Sequence, residues 1–315
     1  MTKRVVLIGH PVAHSLSGAM QQAAFDKLGI DARYELWDRA PGGLAEAITE
    51  LRTEDFLGAN ITIPHKERVV PLVDRQTDEA HITGAINTLT KEGRKLVGHN
   101  TDVAGFKVAL DKLVGKQKMP RTAVVLGAGG GARAIVYGLI REQFQRVVVI
   151  NRHLHRAEAM VKYFSKSAAH MELRAMPWHE SIIEAELAKA KVLINATSIG
   201  LTSDESPIPA EILRPDLLVL DLIYAQTRLL RDAAAAGCTT ADGELMLLHQ
   251  GAAAFTLWTG QPAPIDVMHE ALAAAREHGL RSAEGEPAGV DVDAVPGAEP
   301  DAAGAGAGAD ATAGA

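Results

Sequence analysis

Apolar and polar positions along this chain follow two periods in turn, and the switches between them mark out its elements. Residues 4–8 (RVVLI) and 32–37 (ARYELW) read as strands. Between them the Ser17–Leu28 segment carries apolar residues at helical spacing, with Gly29 as its stop. This is a β-α-β opening. A helix is expected around Leu44–Leu51, then the β-rich run GANITIP closed by Pro64, then INTLTKEGRKLVGHN as two short strands around a Glu-Gly turn. From Asp102 to Val114 the residues Val103, Phe106, Ala109, Leu110 and Leu113 recur at helical spacing, which predicts a helix connecting to a second region. That region starts at TAVVLGAGGGARAIVYGLI, where an apolar strand meets glycines and then a helical pattern. Further strands are expected at Arg146–Ile150, around Glu172–Ala175, at Lys191–Ala196 and at Leu217–Leu222, with helical stretches between most of them. Such alternation predicts a parallel sheet covered by helices. Helical segments at Glu244–Trp258 and Ile265–Glu277 come last, and the pattern alone fits them to either region.

A length of 315 residues predicts two domains. The 47% hydrophobic and 23% charged residues are those of a globular protein, and no apolar run approaches the ~20 residues that span a bilayer. Gly9-His10-Pro11 interrupts the first apolar run too early for a signal peptide, so a cytoplasmic protein is expected, with no membrane partner. Cys238 is the only cysteine, which excludes an intrachain disulfide and a cysteine-rich zinc site. The formal charge of −7 is unevenly spread: after Arg281 come seven acids and no Lys or Arg, leaving 32 acids against 32 bases before that point. The Ala/Gly-rich stretch 283–315 has almost no large apolar side chain and is expected to be disordered. A neutral body disfavours nucleic acid as a partner.

Gly127, Gly129 and Ala132 fit G-x-G-x-x-[G/A] between the strand Val124–Leu126 and the helix that follows. There, glycines allow a tight turn and close approach to a pyrophosphate, and the helix N-terminus offers it free N–H groups. The next strand ends at Asn151-Arg152, where an NAD-binding fold would place an acid for the ribose hydroxyls. Arg152 and Arg156 stand there instead, and guanidinium groups suit a phosphate monoester, so the expected cofactor is NADP. His153 and His155 lack a third ligand, and no metal is expected.

In the first region polar residues gather at strand ends: Ser15 and Ser17, Thr62 and Lys66, Asn87, Thr101 and Asp102. Singly, each has an ordinary explanation as a cap, a turn residue or a solvated cation. Together they supply many hydroxyl and amide partners, one cation and one carboxylate, an inventory that suits a small polyhydroxylated acid.

The order and spacing of these residues resemble the shikimate dehydrogenase family. The likeness runs through GHPVAHSLS, GANITIPHKE, GAINTL, GHNTD, VLGAGGGARA, INRHLHR, INATSIGL, DLIY and DGELMLLHQGAAAF, over about residues 4–279. It implies NADP-dependent interconversion of 3-dehydroshikimate and shikimate, a step toward chorismate and the aromatic amino acids. It also implies an α/β fold: an N-terminal α/β substrate domain, residues 1–103 plus about 245–280, and a Rossmann-type, doubly wound NADP domain, 104–244, with a cleft between them. By the same resemblance Lys66 is the catalytic acid/base and Asp102 its partner. Ser15, Ser17, Thr62, Asn87, Asp102 and Gln250 bind shikimate, and Tyr224 lies near its carboxylate. Gly127, Ala128, Gly129, Gly130 and Gly131 meet the pyrophosphate. Asn151, Arg152, His153 and Arg156 meet the adenosine phosphate, and Leu222 and Gly243 lie near the nicotinamide. Asp78 occupies a further NADP position for which the sequence offers no physical account. The family includes monomers and homodimers.

This chain departs from the family pattern at Gly18, Met20 and Gln21, where a proline and a histidine-asparagine pair are common, and at His153, where threonine is common. The serines are intact, so a slightly altered helix start and unchanged chemistry are expected. A protonated His153 could still meet a phosphate. The rival enzyme readings are a paralogue that also oxidises quinate and one with a different acid or NAD preference. A folate dehydrogenase would need a stacking aromatic in the cleft, whereas Phe25, Tyr34, Trp37 and Phe56 sit in core-like positions. A non-enzymatic NADP-binding protein would tolerate loss of Lys66 and Asp102, and both are present.

Overall fold

In the computed structural model, which describes residues 2–284, the chain opens with β1 (Lys3–Gly9), α1 (Ser17–Lys27), β2 (Ala32–Asp38), α2 (Leu44–Glu50) and β3 (Phe56–Ile61). Two elements that no periodicity signals come next, β4 (Arg75–Gln76) and α3 (Asp78–Thr83). They are too short to display a period. Thr77 caps α3 by accepting from the Ala80 amide, and Gly84 ends it in the left-handed region at φ 61°. The hairpin β5 (Thr88–Glu92) and β6 (Lys95–His99) leads into α4 (Asp102–Val114), which has the limits its apolar spacing predicts.

These strands form one sheet in the order β2-β1-β3-β5-β6-β4. β1 runs parallel to β2 and β3, while β5 is antiparallel to β3 and β6. Alternate residues of β1 serve opposite faces: Val6 and Ile8 join Leu44, Ile48 and Leu51 in one core, and Val5 joins Met20 and Phe25 in another.

The second half comprises β7 (Thr122–Leu126), α5 (Gly130–Arg141), β8 (Arg146–Asn151), α6 (Leu154–Phe164), β9 (Glu172–Pro177), α7 (Glu180–Leu187), β10 (Val192–Asn195), β11 (Leu218–Asp221), α8 (Arg228–Ala235) and β12 (Thr239–Ala241). Its sheet is ordered β12-β11-β10-β7-β8-β9 with every pair parallel. Counted from β7 this is the 3-2-1-4-5-6 order of a dinucleotide-binding sheet, and its ligand crevice lies where the order reverses, between β7 and β10. Val125, Val149 and Ile194 face one buried cluster, and Val124, Val148 and Leu193 face another, so both sides of the sheet are covered.

The last two helices are α9 (Glu244–Thr259) and α10 (Ile265–Glu284). Both return to the first sheet: Ala252, Phe255, Trp258, Met268 and Leu272 share the core of Val5 and Phe25. Trp258 donates its indole N–H to the Leu89 carbonyl at 2.9 Å. Gly58 makes room for that contact, because a Cβ there would lie 2.5 Å from the indole nitrogen. α10 continues past the expected end at Glu277 and two residues into the stretch expected to be a disordered tail. The helix-forming residues of RSAE let it propagate. The rest of that expectation, residues 285–315, lies outside the described residues.

Candidate active site

The strand-end polar residues converge. Lys66 sits in the loop after β3, whose path is fixed by the Thr62 amide donating to the Ile8 carbonyl at 2.9 Å and the Ile86 amide donating to the Lys66 carbonyl at 2.8 Å. Its ammonium donates to Asp102 Oδ2 at 2.6 Å, with the two side chains only 15% and 5% exposed. Asp102 opens α4, where the partial positive charge of a helix N-terminus favours a carboxylate. Its other oxygen accepts from Asn87 Nδ2 at 2.9 Å. The same amide nitrogen reaches Thr101 Oγ1 at 2.8 Å and Gln250 Oε1, from α9, at 3.1 Å. Asn87 Oδ1 accepts from the Thr101 amide at 2.7 Å. Lys66, Asp102, Asn87 and Gln250 are thus drawn from four separate parts of the chain into one connected network.

The network reaches further than the sequence reading. Asn60, buried in β3, donates to the Asn87 carbonyl at 3.2 Å and to Thr88 Oγ1 at 3.1 Å, and accepts from the Tyr34 hydroxyl at 2.7 Å. Burial pushes the Tyr34 phenol well above its ordinary pKa, while a hydrogen bond with Ser17 pulls the other way. Tyr34 is therefore a member of the polar chain as well as a packing residue. The signal for Asn60 was present: an amide inside an apolar strand must find partners when buried. Ser15 accepts from the Ser17 amide at 3.3 Å, and α1 starts without a side-chain cap. Met20 and Gln21 are fully buried, and Gln21 donates to the Gly251 carbonyl at 2.9 Å, so the departure from the family pattern docks α1 against α9. No side-chain hydrogen bond joins Thr62, Tyr224 or Asp78 to the network among the described residues. Thr62 is half-buried with its methyl against Gly9. Burial raises the Tyr224 phenol pKa. Asp78 is exposed in the first turn of α3.

Beside this network lies a cleft of about 450 Å³, lined by Gly127, Ala128, Gly129 and Gly130, by Asn151, Arg152 and Arg156, and by Lys66 itself. The glycine loop is built for close approach. Gly127 has φ 105°, and a Cβ on it would lie 2.7 Å from the Ala196 carbonyl oxygen. A Cβ on Gly130 would lie 2.7 Å from Lys66 Cβ, so the lysine stem rests on the start of α5. No side chain caps α5 at Gly129, which leaves its first amides to a ligand. Arg152 and Arg156 flank the end of β8, and among the described residues no carboxylate pairs with Arg152. Free helix amides, a glycine cradle and two guanidinium groups fit a dinucleotide bearing an extra phosphate. His153, at the start of α6, and Gly131 lie outside the cleft lining; Asn151 spends its amide on the His153 carbonyl at 2.9 Å. Leu222 and Gly243 lie together, the Gly243 position only 2.1 Å from the Leu222 carbonyl oxygen if it carried a Cβ, and Leu222 also approaches Gly131. Among the described residues no group of three or more His, Cys, Asp or Glu could hold a metal ion.

A buried carboxylate that the sequence reading passed over joins the end of β11 to the end of β10 and to the loop that follows β11. Asp221 accepts from Asn195 Nδ2 at 3.0 Å, Thr227 Oγ1 at 2.7 Å and the Ile223 amide at 3.1 Å, and burial raises its pKa against those bonds.

The chain is similar to known proteins over most of its length. Residues 7–89 match the family model for the shikimate dehydrogenase substrate binding domain, 109–204 that for shikimate / quinate 5-dehydrogenase, and 243–273 that for the shikimate 5'-dehydrogenase C-terminal domain. A shikimate dehydrogenase (NADP(+)) of Methanopyrus kandleri is 41% identical over 276 residues, covering 86% of this chain and 95% of that one. The shikimate 5-dehydrogenase of Thermus thermophilus, solved with NADP(H) and shikimate, superposes with a TM-score of 0.74 at 38% identity, over 87% of this chain and 99% of that one. A quinate dehydrogenase from Corynebacterium glutamicum, solved with NAD, gives 0.77 at 29% identity over 87% and 99%.

Proposed function

The chain belongs to the shikimate dehydrogenase family, and from that premise we propose that it reversibly reduces 3-dehydroshikimate to shikimate with NADPH, on the route to chorismate and the aromatic amino acids. One observation carries the reading: Lys66 belongs to both sites at once, paired with Asp102 in the polar network and resting on the glycine loop of the cofactor cleft.

Bound NADPH supplies a hydride to the ketone carbon. As negative charge grows on the carbonyl oxygen, the Lys66 ammonium stabilises it and delivers one proton, leaving a hydroxyl on the substrate and a neutral amine that recovers a proton from solvent. Asp102 holds the ammonium in place, and Asn87 and Gln250 offer amide partners to substrate hydroxyls. Ser15, Ser17 and Thr62 bind the substrate, with Tyr224 near its carboxylate. Gly127 to Gly131 take the pyrophosphate, Arg152 and Arg156 with Asn151 and His153 the adenosine phosphate, and Leu222 and Gly243 the nicotinamide end; Asp78 is kept as an outlying cofactor residue on family likeness alone. Packing supports residues 1–103 plus about 245–280 as the substrate domain and 104–244 as the NADP domain, since α9 shares the first core. Phe106 of α4 lies against Gly138 of α5. We read the protein as cytoplasmic and as a monomer or homodimer.

Turnover measured with shikimate and with quinate, each with NADP or NAD, tests the reading, with Lys66→Ala as control. Activity confined to shikimate and NADP and lost in the control is expected. The second reading, a quinate- or NAD-preferring paralogue, is favoured by the likeness to the quinate dehydrogenase. Preference for quinate or NAD would select it.

A further inference from the structure

One cation of the cofactor cleft already has an anion. Glu67 lines that cleft next to Lys66 and divides its carboxylate between two arginines. Oε2 accepts from Arg133 Nε at 3.0 Å, and Oε1 lies 3.6 Å from Arg156 Nη2. The two arms are unequal. The Arg133 side chain, on α5, is 13% exposed; its Nη1 donates to the Thr83 carbonyl at 3.2 Å, and its guanidinium lies 4.8 Å from the centre of the Tyr163 ring. Gly84 permits this assembly, because a Cβ there would come within 2.9 Å of the tyrosine ring. The Arg133 arm thus ties α5 to the loop bearing Lys66 and to the end of α3. Arg156 is 48% exposed and makes the longer contact, so its arm is screened and easily surrendered.

A phosphate monoester at Arg156 carries more charge than a carboxylate and offers oxygens suited to a forked guanidinium. It therefore takes Arg156 from Glu67 while leaving the shorter, more buried Arg133 contact in place. Glu67 then faces the phosphate as a like charge.

Building on the NADP reading above, we propose that Glu67 is a positioning residue that anchors the Lys66 loop to α5 through Arg133 while competing with the cofactor's adenosine phosphate for Arg156. Affinity for NADP is lowered in return for a fixed lysine. NAD, which lacks that phosphate, leaves the Arg156 pair untouched.

The test uses the full chain, NADPH and NADH titrated by nucleotide fluorescence, and steady-state kinetics with shikimate and NADP. Glu67→Gln still accepts from Arg133 but no longer attracts Arg156 as an anion. It should tighten NADPH about threefold and leave NADH unchanged. Glu67→Ala removes the Arg133 anchor as well. It should tighten NADPH at least as much as Glu67→Gln does, and in addition lower kcat about tenfold with little change in KM for shikimate. Equal shifts for both cofactors in Glu67→Gln, or an undiminished kcat in Glu67→Ala, overturn the proposal. If either variant lacks a cooperative melt, Arg133→Lys replaces it, and a natural kcat there overturns the anchoring role. A natural protein that binds NADPH no more tightly than NADH would sink the cofactor reading first, and this inference with it.

Discussion

At the scale of single residues, what the sequence made legible was the chemistry of side chains, and what it hid was their connection. Lys66 and Asp102 stand 36 positions apart, and nothing in the spacing says that their atoms meet at 2.6 Å. Tyr34 shows the limit best, since aromatic periodicity marks it as core while its hydroxyl ends the polar chain on Asn60. Removing that hydroxyl in Tyr34→Phe leaves Asn60 Oδ1 without a donor, which should cost about 1–3 kcal/mol in urea unfolding. An unchanged midpoint would mean that water replaces the phenol. Substitution at the reacting pair should act differently: Lys66→Ala should lower kcat by about 10²–10⁴-fold with a much smaller change in KM, because a proton donor contributes chiefly in the transition state. A rise in KM at full kcat would make Lys66 a binding residue only.

At the scale of elements, periodic segments and short apolar runs such as β10 and β11 were readable, and short polar ones were not. Five apolar residues fix α4 to its ends, whereas β4, α3 and β12 are defined by pairing and capping partners elsewhere in the chain. α4 also illustrates why an element's packing bears on the site: its first residue is Asp102, and its buried face, led by Phe106, lies in the core beneath the second sheet. Phe106→Ala should cost about 3–5 kcal/mol and lower kcat as α4 loses its seat; stability lost with kcat intact would separate the two. In β6, His99 hydrogen-bonds Thr90 at 2.8 Å, and burial lowers its pKa from the ordinary 6.5. A base with a depressed folded pKa stabilises fully above its unfolded value, and that contribution is lost as pH falls below about 6.5 toward the folded value. The melting temperature should therefore drop between pH 7.5 and pH 5.5, a slightly acidic window around the histidine range, and drop less in His99→Gln. Equal slopes would assign the loss to other groups, among them His249, whose pKa is lowered by burial and by His269.

At the scale of the whole molecule, the alternation of strands and helices revealed two sheets, but only packing shows that α9 and α10 return to the first one. Apolar periodicity carries no address: Phe255 and Met268 would read the same against either sheet. Charge, by contrast, was legible from sequence alone. The bases and acids balance up to and including Arg281, and the net −7 comes from acids at and beyond Glu284. No helix among the described residues is long and apolar enough to cross a membrane. Among the described residues, the polar network and the cofactor cleft run from Ser15 to Gln250. A chain ending at Glu284 should keep the kcat and both KM values of the full one. Its net charge falls from −7 to −1 (33 acids against 32 bases), so it should also precipitate at lower protein concentration near neutral pH, where most of the repulsion between copies is lost. Reduced turnover at unchanged solubility would reverse the assignment and give residues 285–315 a part in the reaction instead of in keeping copies apart.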